Sequence, residues 1–307
     1  MRSVPSGSEL LLEWPITRSH AVPMSLSPQQ TMPGPVEVWS TGDYADVCDR
    51  MIPELGARLV EIADVQAGDE VLDVAAGSGN AALPAAAAGA IVTALDITPA
   101  LLKVGAERAN AASLDIAWVR GDAQALPFAA SSFDRVLSCV GVQFCADHHA
   151  AAAELVRVCR PGGRIALIAW TREGFIGQVL ATVAKATGGA GSRRSPLDWG
   201  SEYELGELFK ARVTDIAMHR EYVEMPAESP VGWVDYMATA YGPLVRARAT
   251  LQARGEWDPV RARLIEIAEA HNARDGHAFA GRAEYLTAVL RPGGRVATSS
   301  SRAATAP

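Results

Sequence analysis

Lysine is almost missing from this chain. Only three of its 28 basic residues are lysine (Lys103, Lys185, Lys210), and 35 acids outnumber them, for a formal net charge of −7. A protein that reads nucleic acid needs clustered Lys and Arg to neutralise phosphates, so no nucleic-acid partner is expected. Cysteine is scarce too: Cys48, Cys139, Cys145 and Cys159 stand far apart, with no C-x-x-C pair. That spacing excludes a zinc ribbon or a disulfide framework, and no metal is expected. Buried thiols in a reducing cytosol are the simpler reading. Long apolar runs are lacking as well. The best stretch, 81–95, is mostly alanine and is interrupted by Pro84 and Gly89, short of the ~20 residues of a membrane span. The N-terminus carries Glu13 and Pro15 where a secretory signal needs an apolar stretch. The expectation is a soluble, cytoplasmic protein with no membrane partner.

What is there is alanine, 56 of 307 residues, so the 49% hydrophobic share overstates the area available for burial. The length still suffices for a large core, since chains near 300 residues bury roughly 75% of their surface. Residues 1–35 hold six prolines and little periodicity and read as a flexible leader; 292–307 read as a disordered tail. Between them, short aliphatic runs alternate with helical patterns: strands at 70–76, 91–96, 116–122, 133–140 and 164–170, with helices at 80–88, 98–112 and 147–160. A P-G-G turn at 161–163 precedes the fifth strand. Runs apolar on both faces, separated by helices, predict a doubly wound, mostly parallel α/β sheet. Later come a helix over 171–187, a helix ending at Lys210, strands at 216–225 and 285–291, and a helical stretch at 231–273 read as a cap over the site. In such sheets the ligand lies beyond the carboxyl ends of the strands.

Those ends carry the chemistry. The first strand closes in Asp73-Val74-Ala75-Ala76-Gly77-Ser78-Gly79-Asn80-Ala81-Ala82. Gly77-x-Gly79-x-x-Ala82, with Asp96 nineteen residues on, satisfies a dinucleotide fingerprint and leaves an NAD(P)-dependent oxidoreductase open. Asp73 discriminates. A pyrophosphate over this turn would meet a buried carboxylate, which is repulsive and costly to desolvate. A ligand with an ammonium group would be attracted, and S-adenosylmethionine has an amino-acid end, a sulfonium, a ribose and an adenine, without phosphate. Asp96 ends the second strand, placed to accept from ribose hydroxyls. Asp122 ends the third, where its carboxylate can accept from an adenine amino group and the Ala123 amide can donate to a ring nitrogen.

With VLDVAAGSGN, ALDIT, GDAQALPF, SFDRVLSCVGVQF and ELVRVCRPGGRIALIAW in order over 70–170, the chain resembles the class I S-adenosylmethionine-dependent methyltransferases. Within them it resembles the type 11 group, which includes the ubiquinone/menaquinone C-methyltransferases. The resemblance implies a Rossmann-like sheet of seven strands, the last antiparallel; the sequence reads as a single domain over 36–291 with its core at 68–170 and a cap insertion near 226–282. The resemblance implies that Asp73, Gly77 and Gly79 line the methionine end of the cofactor, that Asp96 holds the ribose, and that Asp122 and Ala123 hold the adenine, with Ala75, Ser78 and Ile97 as further cofactor contacts. Cys139 would pass the sulfonium by its backbone. A helix over 39–52 would close over the cofactor, with Tyr44 facing the methionine end. No Asn-Pro-Pro-aromatic motif follows the fourth strand, which argues against methylation of an amide or base nitrogen. Menaquinone-type signatures outside the core are not recognisable.

Methyl transfer from a sulfonium needs positioning and exclusion of water more than a nucleophile on the protein. A small-molecule acceptor methylated at oxygen or carbon is the expectation. His148 and His149 are the candidate general bases if the acceptor is a hydroxyl or enol. Gln143, Phe144 and Trp170 are the candidate acceptor contacts, with Trp199, Trp233, Tyr236 and Tyr241 as possible aromatic lining from the cap. A non-catalytic nucleotide-binding protein of the same fold is the remaining alternative.

Overall fold

Alternation along the strands builds two cores, one on each face of a sheet. Val71, Leu137 and Ala166 fall in one core and their neighbours Leu72, Val136 and Leu167 in the other, all buried, as period-2 side chains require when both faces are covered. The computed structural model describes residues 34–189, 194–274 and 278–293; the leader up to residue 33 and the tail from 294 lie outside them. Seven strands form one sheet: β1 (Glu70–Val74), β2 (Ile91–Asp96), β3 (Ile116–Arg120), β4 (Phe133–Cys139), β5 (Cys159–Trp170), β6 (Val213–Ala227) and β7 (Phe279–Pro292). Their order is β3-β2-β1-β4-β5-β7-β6. The first five run parallel, and β7 lies antiparallel to both β5 and β6. The expected doubly wound, seven-stranded sheet is the one observed.

The helices among the described residues are α1 (Pro35–Trp39), α2 (Tyr44–Met51), α3 (Leu55–Ile62), α4 (Ala82–Ala87), α5 (Pro99–Ala111), α6 (His148–Val158), α7 (Phe175–Thr187), α8 (Glu202–Phe209), α9 (Pro230–Ala240), α10 (Gly242–Ala253) and α11 (Trp257–Ala270). The core with Val71 extends under α2, α3, α7 and α9–α11, while the core with Leu72 is closed by α6 and α8. The chain order reverses between β1 and β4, and both strands end there in left-handed backbone, Ala75 at φ 56° and Val140 at φ 54°. A β-branched residue in that region is strained, and such strain gathers at functional sites.

Four details differ from expectation. The helix expected over 39–52 is two, α1 and α2, because Gly42 turns the chain at φ +82° and Asp43 then caps α2 by accepting from the Asp46 N–H. The P-G-G segment at 161–163 sits inside β5 as an irregularity rather than a free turn: β4 pairing jumps from Cys159 to Arg164, with Gly162 at φ +82°. Thr171–Gly174 is loop before α7. The late strands are longer than expected, since β6 and β7 pair over almost their whole lengths and carry the register out to Ala227 and Phe279. The 231–273 stretch is helical, as three helices between β6 and β7.

Candidate active site

The three strand-end acids occupy three different environments. Asp73 is 1% exposed. Its Oδ2 accepts from the Ala82 N–H at 2.8 Å, while its Oδ1 is buried without a partner among the described residues. Burial, reinforced by the nearby charge of Asp96, pushes its carboxyl up to about 7. Asp96 is also buried, and burial raises its carboxyl above the usual range. Its two oxygens accept from the Gly77 N–H and the Thr98 N–H, each at 2.8 Å. A carboxylate oxygen has two lone pairs, so each keeps capacity for a hydroxyl. Asp122 is half-buried. Its oxygens accept from the Gln124 side-chain amide at 2.9 and 3.1 Å, and Oδ1 also takes the Gln124 N–H at 2.9 Å. Ala123 beside it is buried and Ile97 half-buried.

The glycine loop runs over these acids. Gly77 (φ +55°) and Gly79 (φ +92°) take backbone that disfavours a side chain, and a Cβ on Gly79 would lie 2.8 Å from the ring of Trp118. The loop is pinned from outside by Arg108 of α5. Its guanidinium donates to the Ser78 carbonyl and hydroxyl, each at 3.2 Å, and also pairs with Asp49 of α2. Arg108 and Gln124 were not found from sequence. Arg108 acts across 30 residues and looks like any exposed helix arginine in the pattern, whereas Gln124 two residues after Asp122 was a readable turn signal.

Helix α2 lies over the loop as expected. The Tyr44 ring stands about one contact distance from Gly77, where an added Cβ would be 3.5 Å from it. The same ring belongs to a cluster with Trp39 (5.2 Å) and Tyr241 (6.3 Å), and Trp39 meets Phe144 at 4.9 Å. Beyond Tyr44, away from the loop, lies a tight apolar chamber of about 20 Å³ between the ends of β4 and β5 and the helices that follow β6. Phe144 and Trp170 line it from the sheet side, and Trp233, Met237 and Tyr241 from α9 and the turn after it. Tyr44 therefore separates the glycine loop from the chamber and touches both.

The remaining predicted residues fall elsewhere. Cys139 is buried near Asp73, and burial holds its thiol well above the ordinary range. Gln143 does not line the chamber: it is 1% exposed, and its Oε1 accepts from the Trp170 N–H at 3.0 Å. It positions Trp170 instead of meeting an acceptor. His149 is exposed at the start of α6, and His148 is buried against Trp199, ring centroids 5.6 Å apart, on the other face of the sheet. Asp147 caps α6 through the Ala150 N–H, and that fixes which way the first turn points. Neither histidine lines the chamber, which corrects the expectation of a base there. Of the cap aromatics, Trp199 packs with His148 and Tyr236 is engaged with Asp46 at 2.8 Å, leaving Trp233 and Tyr241 at the chamber.

S-adenosylmethionine fits this arrangement. The buried Asp73 Oδ1, without a partner among the described residues, can accept from an ammonium group. Comparison with known proteins agrees. A methyltransferase domain family model matches residues 72–167. An uncharacterized protein of Mycobacterium tuberculosis is 44% identical over 214 residues, 69% of this chain and 78% of the relative. A demethylmenaquinone methyltransferase of Renibacterium salmoninarum is 40% identical over 117 residues, 38% of this chain and 48% of that protein. The YcgJ protein of Bacillus subtilis has the same fold, with a TM-score of 0.54 at 18% identity over 78% of this chain and 99% of that one. The chain belongs to the class I S-adenosylmethionine-dependent methyltransferases, type 11 group. It is a methyltransferase that uses S-adenosylmethionine as its methyl donor.

Proposed function

We propose that this enzyme methylates an oxygen or carbon atom of a small organic molecule held in the apolar chamber. The observation that carries the reading is the juxtaposition at Tyr44: a loop over buried carboxylates on one side, an uncharged chamber on the other. Asp73, with Ala75, Gly77, Ser78 and Gly79, would hold the methionine end of the cofactor. Asp96 and Ile97 would hold the ribose, and Asp122 and Ala123 the adenine. The backbone at Cys139 and Val140 would line the path between cofactor and acceptor, within one domain spanning 36–291 whose cap is α9–α11. The absence of an Asn-Pro-Pro-aromatic motif after β4 supports carbon or oxygen over nitrogen.

The bound cofactor supplies an activated methyl group. The chain's contribution is placement and exclusion of water, and a well-aligned pair can gain several powers of ten in rate from that alone. With Asp73, Asp96 and Asp122 holding it, the group would supply an electrophilic methyl, and the apolar residues beyond Tyr44 would hold the acceptor and keep bulk water from that methyl. Calorimetry with S-adenosylhomocysteine, followed by incubation with labelled cofactor and a panel of phenols, enolisable carbonyls and carboxylates, tests the reading. Label on oxygen or carbon of a panel member is expected; label only on nitrogen, or no binding of S-adenosylhomocysteine, would overturn it.

A further inference from the structure

Helix α5 meets the glycine loop along one stripe of its surface. Leu101, Gly105 and Arg108 follow one another at spacings of four and three, which puts them on one face of the helix. Each meets a different residue of the loop. A Cβ on Gly77 would lie 3.8 Å from the Leu101 side chain. Arg108 donates to the carbonyl and hydroxyl of Ser78, which is buried. Between them Gly105 meets Gly79 through the indole of Trp118 on β3. The Cη2 edge of that ring is wedged between the two glycines: a Cβ on Gly79 would stand 2.8 Å from it, and a Cβ on Gly105 would collide with it. A glycine inside a helix of 13 residues lowers helix stability. The seat it makes for Trp118 explains why one stands there.

The height of the loop matters because its amides are tied to the strand ends. The Gly77 N–H donates to Asp96 Oδ2 at 2.8 Å, and the Gly79 N–H to the Ala76 carbonyl at 2.9 Å. Such bonds weaken steeply with misalignment, so a loop that sags or lifts loosens the acid along with itself. Given the methyltransferase reading above, on which this inference rests, we propose that Trp118 is a positioning residue for the cofactor. It acts through Gly79, with Gly105 as its socket, and Arg108 is a second support acting through Ser78. The loop is thus held from two directions, by Asp96 on the sheet and by the α5 stripe with its wedged indole. Trp118 sets the loop by its shape: a smaller apolar side chain would still fill part of the space between β3 and α5, but would not reach both glycines.

Two measurements on the full chain test this: calorimetry with S-adenosylhomocysteine, and hydrogen exchange of the amides over 76–82 without ligand. Trp118→Leu should weaken S-adenosylhomocysteine by about tenfold, the scale of one hydrogen bond lost. It should also speed exchange at Gly77 and Gly79 while the amides of β1 and β2 stay protected. Gly105→Ala should have a similar effect by driving the ring into Gly79. The double variant should bind no more weakly than either single one, because the added methyl fills space that the indole leaves. Arg108→Met is the second variant if Trp118→Leu does not fold; it should weaken binding by about fivefold and expose the same amides. Affinity within about twofold of the parent in both Trp118→Leu and Arg108→Met, lost affinity with loop exchange unchanged, or losses that multiply in the double variant would overturn the proposal. Failure of the parent chain to bind S-adenosylhomocysteine would instead strike the methyltransferase reading.

Discussion

The two halves of the site share the same strand ends and are built in opposite ways. The proposed cofactor half is polar: each acid ends a strand, and its partners are backbone or side-chain amides of the loops that follow the strands. Asp96 takes amides from Gly77 and Thr98, Asp73 takes Ala82, and Asp122 takes Gln124. The acceptor half is apolar and gathered from α2, the ends of β4 and β5, α7, β6 and α9. One half is specified by particular residue types at fixed places. The other is specified by shape and by the exclusion of charge, which many side chains can supply.

If that contrast is right, single changes in the polar half should be severe. Asp96→Ala should weaken S-adenosylhomocysteine by at least about a hundredfold, since hydrogen bonds to a charged group are worth about 1.5–3 kcal/mol each and the variant also frees two loop amides. Calorimetry measures the affinity, and a loss below about threefold would mean that Asp96 serves the loop alone.

Asp73 offers a sharper break, because its proton is linked to the ligand. Burial pushes its carboxyl up to about 7. An ammonium-bearing ligand needs the ionised form, so below pH 7 binding must expel a proton. The dissociation constant should rise by up to about tenfold for each pH unit below 7 and stay flat just above it. The linkage on folding has the opposite sense to that of a salt-bridged acid. The native state holds the proton more tightly than the unfolded chain, so Asp73 ionisation lowers stability as pH rises from the ordinary carboxylate range to about 7. Asp73→Asn should remove the pH dependence of binding and weaken S-adenosylhomocysteine by about tenfold at pH 8, the scale of one charge-assisted bond.

A third change sits outside both halves and checks that the histidines belong to neither. Burial lowers the His148 pKa. The fold therefore favours the neutral ring, and its stabilising effect is complete above pH 6.5 and lost as pH falls below that value. His148→Leu should flatten the decline in melting temperature below pH 6.5, by an amount equivalent to about 1 kcal/mol, and leave methyl transfer unchanged. A collapse of kcat with retained stability would place the histidine back in the chemistry.

The contrast also explains what could be read in advance. The sheet was legible because period-2 aliphatic runs and intervening helices leave few topologies, and the strand-end acids were legible because each stands beside a glycine or turn signal. Phe144 and Trp170, neighbours of strand ends, both line the chamber. His148 was misplaced because the direction of one helical turn decides whether a ring faces the chamber or the opposite core, and that is set by packing against Trp199. The Arg108 pin and the Gln143 bond to Trp170 are contacts across 30 and 27 residues, which no local pattern records. Val140 was unreadable for another reason: a valine in left-handed backbone contradicts its own propensity, and only the surrounding fold imposes it.

The smallest effect concerns how the two halves are held together. Helices α1 and α2, which cover the loop, are tied to the cap by the Tyr236 hydroxyl donating to Asp46 at 2.8 Å, by Arg246 pairing with Glu37 at 2.7 Å, and by the Asp43 N–H donating to the Ala240 carbonyl at 2.9 Å. Asp46 and Glu37 are partly exposed, so each side-chain tie should contribute only about 0.5 kcal/mol. Tyr236→Phe and Arg246→Ala should each raise KM for the cofactor by about twofold, and the double variant should equal the product of the two, as expected for groups that do not touch. A double-mutant cycle with a coupling beyond about 0.5 kcal/mol would show that cover and cap open as one body, and the two halves would then differ in chemistry but not in motion.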